Sequence, residues 1–273
     1  MRLYALADLH LRYEVTRRAL QNLRPHPEDW LILAGDVGET EEHLRFALGI
    51  LAKRFARLLW VPGNHDLWTV PGPSGRGARK YEALVEIARK LGVVTPEDPY
   101  LIWPGDGEPC AIVPAMLLYD YSFRPPDVPL ASLIAWAREE RSVAGDEMLL
   151  DPSPFQSISD WCHHRCRETE QRLIELGADV PKIIVNHYPL RRDLVYIPRI
   201  PRFAPWCGTV LTEDWHVRFN VRVAVSGHLH VRRTDWRDAT RFEEVSFGYP
   251  PQWDPRLGMA GYLRPIWPAS DAA

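Results

Sequence analysis

Five short polar clusters carry the chemistry this sequence can do. They are Asp8-Leu9-His10, Gly35-Asp36-Val37-Gly38-Glu39, Gly63-Asn64-His65-Asp66, Asn186-His187 and Gly227-His228-Leu229-His230. Each directly follows an apolar run. Carboxylate, amide and imidazole donors together suit a pair of hard or borderline divalent ions, and no thiolate stands among them. Two such ions side by side point to hydrolysis. They lower the pKa of a shared water and stabilise negative charge as it spreads in a transition state.

The spacing supports this reading. Residues at i and i+2 of an extended segment face the same way, so Asp8 and His10 reach one ion while Leu9 turns inward. His228-Leu229-His230 repeats the device. Asp36 has two carboxylate oxygens and is the natural shared ligand. Asn64 offers a neutral amide oxygen and His187 an imidazole. Two divalent ions balanced by Asp8, Asp36 and a hydroxide keep a modest positive excess, which attracts a phosphate anion. Any one of these histidines, taken alone, is more often a satisfied core residue. Five clusters at the ends of five apolar runs favour the metal site.

The elements that must position these clusters alternate in type. Strands are expected at Arg2–Ala7, Trp30–Ala34 and Leu58–Val61, with helices near Thr16–Leu23, Glu39–Phe55 and Tyr81–Leu91. Crossovers of helix length imply parallel strands with right-handed connections. Further strands are expected at Tyr100–Trp103, Cys110–Met116, Lys182–Val185, Val221–Val225 and Phe242–Phe247, and a helix at Ser159–Leu176. The fold class is α/β: a four-layer α/β/β/α sandwich, two central mixed β-sheets flanked by helices. Residues 1–273 are read as a single domain, with a proline-rich elaboration at about 119–157 that packs beside the core or over the site.

Composition narrows the function. With 273 residues the chain can bury a large core. A formal charge of −3 argues against a general nucleic-acid or membrane-surface binder. No apolar stretch is long enough to span a bilayer, and the N-terminus has no secretory pattern, so a cytoplasmic location is expected. The four cysteines form neither a disulfide framework nor a zinc ribbon.

The ordered set Asp-x-His, Gly-Asp-x-x-Glu, Gly-Asn-His-Asp, Asn-His and Gly-His-x-His resembles the calcineurin-like metallophosphoesterase superfamily. The resemblance implies that Asp8, His10, Asp36 and His230 hold one metal, and that Asp36, Asn64, His187 and His228 hold the second. It implies that His65 is the acid that assists the leaving oxygen. Asp66 is suitably placed to orient His65, and Glu39 is either a helix cap or part of the catalytic apparatus. Manganese or an iron/manganese pair is expected from the family; zinc, cobalt or nickel would also accept these donors.

A second resemblance bears on the substrate. Asn186 to Leu190, Trp206 to Thr209 and Arg241 to Pro250 are similar to a bacterial subgroup. That subgroup includes hydrolases that cleave phosphopantetheine from acyl carrier proteins, a phosphodiester to serine. A phosphodiesterase acting on such a carrier protein is therefore the leading expectation. A phosphomonoesterase for small phosphoesters or nucleotides is the alternative; a metal-binding scaffold without catalysis and a nuclease are the others weighed. Arg191 and Arg192, continued by Arg199 and Arg202, would contact a phosphate or an acidic partner, unless they are a solvated basic loop. Trp68 would line the substrate pocket or simply pack. Cys162-His163-His164-Arg165-Cys166 invites a zinc hypothesis, but helical spacing puts the two cysteines on a core stripe and the histidines elsewhere.

Overall fold

The computed structural model describes residues 1–72 and 75–268. Among the described residues ten strands run in two sheets: β1 (Leu3–Leu6), β2 (His26–Ala34), β3 (Phe55–Val61), β4 (Leu101–Ile102), β5 (Ala111–Pro114), β6 (Lys182–Val185), β7 (Val221–Ser226), β8 (Thr234–Arg237), β9 (Thr240–Glu244) and β10 (Arg264–Trp267). One sheet has the order β10-β1-β2-β3, the other β4-β5-β6-β7-β9-β8. Both are mixed: β10 on β1, β4 on β5 and β8 on β9 are antiparallel, and the remaining pairs are parallel.

Strand alternation builds the layers. Ala5, Ile32, Ala34 and Val61 of the first sheet meet Ile112, Ile183, Val185 and Val225 of the second in a dry seam. The intervening residues Leu31, Leu33 and Trp60 turn the other way, into a core shared with Leu44 and Leu48 of α2 (Glu41–Leu51). Burial on both faces explains why these strands read as continuous apolar runs. Each fully buried leucine contributes about 2 kcal/mol, and the dry seam locks the two sheets together. Helix α1 (Glu14–Gln21) precedes β2, the short α3 (Asn64–Leu67) follows β3, and α4 (Gly77–Lys90) comes next. The expected sandwich is present: two mixed sheets with helices outside.

Three details differ from expectation. The last expected strand, Phe242–Phe247, is Thr240–Glu244, and it lies inside the second sheet between β7 and β8. The edge strand is β8, whose Thr-Asp-Trp-Arg sequence has no apolar face to reveal it. Strand β10 contains Pro265, a residue that fits a sheet edge, and that proline hid it.

The proline-rich stretch holds α5 (Leu133–Glu139) and the single-turn α6 (Asp146–Leu149). Next comes α7 (Ile158–Leu176), capped by Ser157, whose hydroxyl accepts from the Asp160 amide at 3.1 Å. Cys162 and Cys166 are buried on its core face. His163 and His164 leave in other directions, toward Asp120 and Glu168. The last helix is α8 (Trp215–Arg218). No helix among the described residues is long and apolar enough to cross a membrane.

Candidate metal centre

The polar clusters leave the sheets through strained backbone. Asp8 (φ 57°), His10 (46°), Asp36 (54°), His228 (71°) and His230 (55°) all adopt left-handed conformations. Each costs of order 1–2 kcal/mol for an L residue. Strain gathered on five polar residues marks a functional site. Neighbouring strand ends hold it in place. The Asp8 amide donates to Gly35 O at 2.9 Å and the His10 amide to Asp36 O at 3.1 Å. Both Asp8 carboxylate oxygens accept from the His228 amide, at 3.2 and 3.1 Å. An isolated bridge between Ala7 and Ser246 ties the two sheets together beside the site. Asp8-Leu9-His10 is not the extended segment that alternation requires. These residues converge because the chain turns left-handed at both polar positions, not because it stays extended. Leu9 is nevertheless fully buried.

Three ligand sets converge. Atoms of Asp8, His10 and His230 lie within 4.8 Å of one another, as do those of His10, Asp36 and His65, and those of Asp8, Asp36 and His187. In the first set His230 Nε2 is 3.1 Å from Asp8 Oδ1 and 3.2 Å from His10 Nε2. In the third, His187 Nε2 is 3.5 Å from Asp36 Oδ1. Asp8, His10 and Asp36 each belong to two sets, and of these Asp36 turns Oδ1 toward His187 and Oδ2 toward His65, the two-sided placement a bridging carboxylate needs. Gly63 makes room for it, because a Cβ at Gly63 would overlap Asp36 Oδ1.

Neighbouring groups aim the donors. His187 Nδ1 lies 2.8 Å from Ala34 O, a contact that puts its proton on Nδ1 and bares Nε2. His230 Nδ1 is 2.8 Å from Gln252 Oε1, with the same effect. Asn64 Nδ2 donates to Asp146 Oδ1 at 2.8 Å, which leaves Asn64 Oδ1 free. Ser246 Oγ donates to Asp8 Oδ2 at 2.6 Å and also contacts Glu244. Asn186 is a brace instead: Oδ1 accepts from the Leu117 amide and Nδ2 donates to Tyr188 O. His228 stands apart from the three sets. Its ring packs on those of His187 and Tyr188, 5.2 and 4.7 Å between centroids.

The catalytic pair read from sequence is revised at one position. His65 Nε2 is 3.8 Å from Asp36 Oδ2, and Nδ1 is 3.6 Å from Glu39 Oε1. Glu39, not Asp66, therefore faces the imidazole. The Asp66 carboxylate accepts from the Gly63 and Gly38 amides at 2.9 and 3.2 Å. It ties the two loops that carry Asp36 and Asn64. The reason is helical geometry: Asp66 sits one residue beyond His65 in α3, and consecutive helical side chains diverge. Glu39 is not the helix cap either, because Thr40 Oγ1 accepts from the His43 amide at 3.2 Å. Trp68 does reach the site. Its ring lies against His65 at 3.6 Å between centroids, and its Nε1 donates to Asp146 Oδ1 at 2.7 Å.

Electrostatics and unpaired atoms both fit a cation pair. Burial pushes the Asp8 and Asp36 carboxyls up, but adjacent histidines, His230 and His187 respectively, outweigh it and hold both low. Burial alone would depress His187 and His230, yet Asp36 and Asp8 raise them to about 10 and about 9. Burial, and then the charge of His187, depresses His228 to about 3. Protons on two histidines thus balance two buried carboxylates, a role that divalent cations can take over. Asn64 Oδ1, His187 Nε2 and His228 Nε2 are buried without a hydrogen-bond partner. Such orphans cost of order 1–3 kcal/mol each unless a ligand satisfies them. Two nitrogen- and oxygen-coordinated metal ions would do so. For His65, burial opposes protonation, but Asp36 and then Glu39 raise its pKa above the ordinary value.

A cleft of about 720 Å³ opens beside His230 and Gln252. Arg191 and Arg192 do not line it. The turn Arg192–Leu194 carries them off, and Arg191 is held by Asp193 at 2.8 Å and Glu213 O at 3.1 Å. Arg199 and Arg233 line it instead. Arg202 is occupied by Glu139 and Glu140. Asp146, Gln252, Glu244 and Ser246 escaped sequence reading. Asp146 lies far along the chain from Asn64 and Gln252 outside any motif, whereas Glu244 and Ser246 fall within Arg241 to Pro250, whose resemblance does not mark them as supports of the site.

Comparison with known proteins agrees with this geometry. A sequence model described as calcineurin-like phosphoesterase matches residues 1–232. The [acyl-carrier-protein] phosphodiesterase PptH of Mycobacterium tuberculosis is 44% identical over 270 residues, 97% of this chain and 83% of that protein. The crystal structure of phosphopantetheinyl hydrolase (PptH) from the same organism superposes with a TM-score of 0.93, covering 100% of this chain and 98% of that one. A buried, histidine-rich cluster that calls for divalent cations and a match over most of the length lead to one assignment: the chain belongs to the calcineurin-like phosphoesterase family and is a metal-dependent phosphoester hydrolase.

Proposed function

We propose that this enzyme hydrolyses the phosphodiester linking phosphopantetheine to the serine of an acyl carrier protein. The observation that carries the reading is the near-full-length similarity to PptH, at 44% identity. One metal would be held by Asp8, His10, Asp36 and His230, and the other by Asp36, Asn64, His187 and His228. Manganese or an iron/manganese pair suits these donors. When bound, the ions supply Lewis acidity that activates water and holds phosphoryl oxygens.

The chain's own residues do the rest. Asp36 and Glu39 keep a proton on His65, which faces the metal cluster. As the oxygen of water bonds to phosphorus and the bond from phosphorus to the serine oxygen breaks, His65 gives that oxygen its proton. The proton from water then restores His65. Trp68 fixes the imidazole face, and Asp146 fixes both Trp68 and Asn64.

The test is incubation of the manganese-loaded protein with holo-carrier protein, read by intact mass. Loss of one phosphopantetheine per carrier, with the serine left as hydroxyl, is expected. Turnover of small monoesters and nucleotides with an untouched carrier would instead establish a phosphomonoesterase.

A further inference from the structure

We propose that the cleft beside His230 binds the pantetheine arm, the substituent that stays on phosphorus after cleavage. This rests on the carrier-protein reading above and adds the place of the arm.

Continuity is the first argument. His230 belongs both to the metal cluster and to the wall of the cleft, and Gln252, also in that wall, holds the His230 ring through Nδ1. A substrate phosphorus at the cluster is therefore attached to whatever fills the cleft. The second argument is direction. His65, which protonates the departing serine oxygen, does not line the cleft; the His10 ring stands near both His65 and His230, at 4.7 and 5.2 Å between centroids. The departing group belongs beside His65, so the retained group belongs on the His230 side.

Chemistry and size give the third. The arm is a linear chain with a geminal dimethyl group, two amides and a thiol. It needs an elongated, mainly apolar slot with a few polar atoms. Tyr196, Ile197, Ile200 and Val231 provide the apolar walls. Ile197 packs against the cluster containing Leu229, whereas Tyr196 and Ile200 remain 59% and 43% exposed, apolar surface awaiting a partner. About 720 Å³ suits a small-molecule moiety and is too small for a folded carrier. The lining carries Arg199 and Arg233 and no carboxylate, and Arg233 bonds Asp235 at 2.6 Å and lies over the Tyr196 ring.

Inhibition of bis-p-nitrophenyl phosphate turnover by the manganese-loaded full chain tests the proposal. The probes are inorganic phosphate, free 4′-phosphopantetheine and apo-carrier protein. Wild type should bind 4′-phosphopantetheine about tenfold or more tighter than phosphate. The exposed-site variants Ile200→Asp and Tyr196→Ala should each cut that preference to below about threefold, with the phosphate constant nearly unchanged. Preference retained in both variants, or absent in wild type, overturns the proposal. So does apo-carrier that inhibits as strongly as 4′-phosphopantetheine and loses that inhibition in the same variants, for the cleft would then hold protein surface. Failure of the carrier reading looks different: holo-carrier is not cleaved, yet the 4′-phosphopantetheine preference and its loss in the variants persist.

Discussion

Replacing Asp146 with alanine removes one carboxylate oxygen that organises two active-site side chains. Asp146 is buried in α6, and its Oδ1 accepts from Asn64 Nδ2 at 2.8 Å and from Trp68 Nε1 at 2.7 Å. Hydrogen bonds to a charged group contribute about 1.5–3 kcal/mol each. Burial raises the Asp146 pKa, which is an opposing cost. A net loss of about 2–3 kcal/mol in stability is expected for Asp146→Ala. The functional effect is larger. Without Asp146 nothing decides which way the Asn64 amide faces, and an amide turned by half a rotation offers a donor where the metal needs an acceptor. Affinity for the second metal should fall about 10–100-fold. Asp146→Asn keeps an acceptor and should retain most of it. The assay is manganese titration against a chelating indicator, with urea unfolding in parallel. A stable Asp146→Ala protein that binds both metals as tightly as wild type would refute the reasoning.

Other substitutions separate the roles. Asp36→Ala should eliminate both metals and activity, as elemental analysis and turnover would show; two equivalents retained would disprove the bridge. His65→Ala should keep both metals and lower kcat about 10²–10⁴-fold; lost metal would make His65 a ligand. Glu39→Gln removes an anion that raises the His65 pKa, so the alkaline fall in kcat should move to lower pH; an unmoved profile would leave Glu39 with only a structural part. Gly63→Ala should displace Asp36 and lower metal content, and normal occupancy would contradict the close packing at this glycine.

The convergence of Asp8, His10, Asp36, His187 and His230 was legible because the chemistry of such donors is local: polar residues of the right type end apolar strands. The convergence was right, but the reason given for Asp8 and His10 was not. Nothing in the sequence announces a left-handed backbone at five non-glycine residues, because neighbouring strand ends impose it. Assigning Asp66 to His65 failed for a related reason. Adjacent helical residues point apart, and Glu39, on another loop, fills the space. Asp146 and Gln252 were illegible because each acts across a long sequence separation through one side-chain contact. The arginines misled because Arg191 turns to Asp193, two residues on, and Arg202 to Glu139, a partner that only folding supplies.

The central claim is a pair of cations bridged by Asp36 at the meeting point of the two sheets. Anomalous diffraction from crystals grown with manganese tests it most directly. Two peaks are predicted, one enclosed by Asp8, His10, Asp36 and His230 and the other by Asp36, Asn64, His187 and His228. A single peak, or two peaks with Asp36 touching neither or only one, would contradict it.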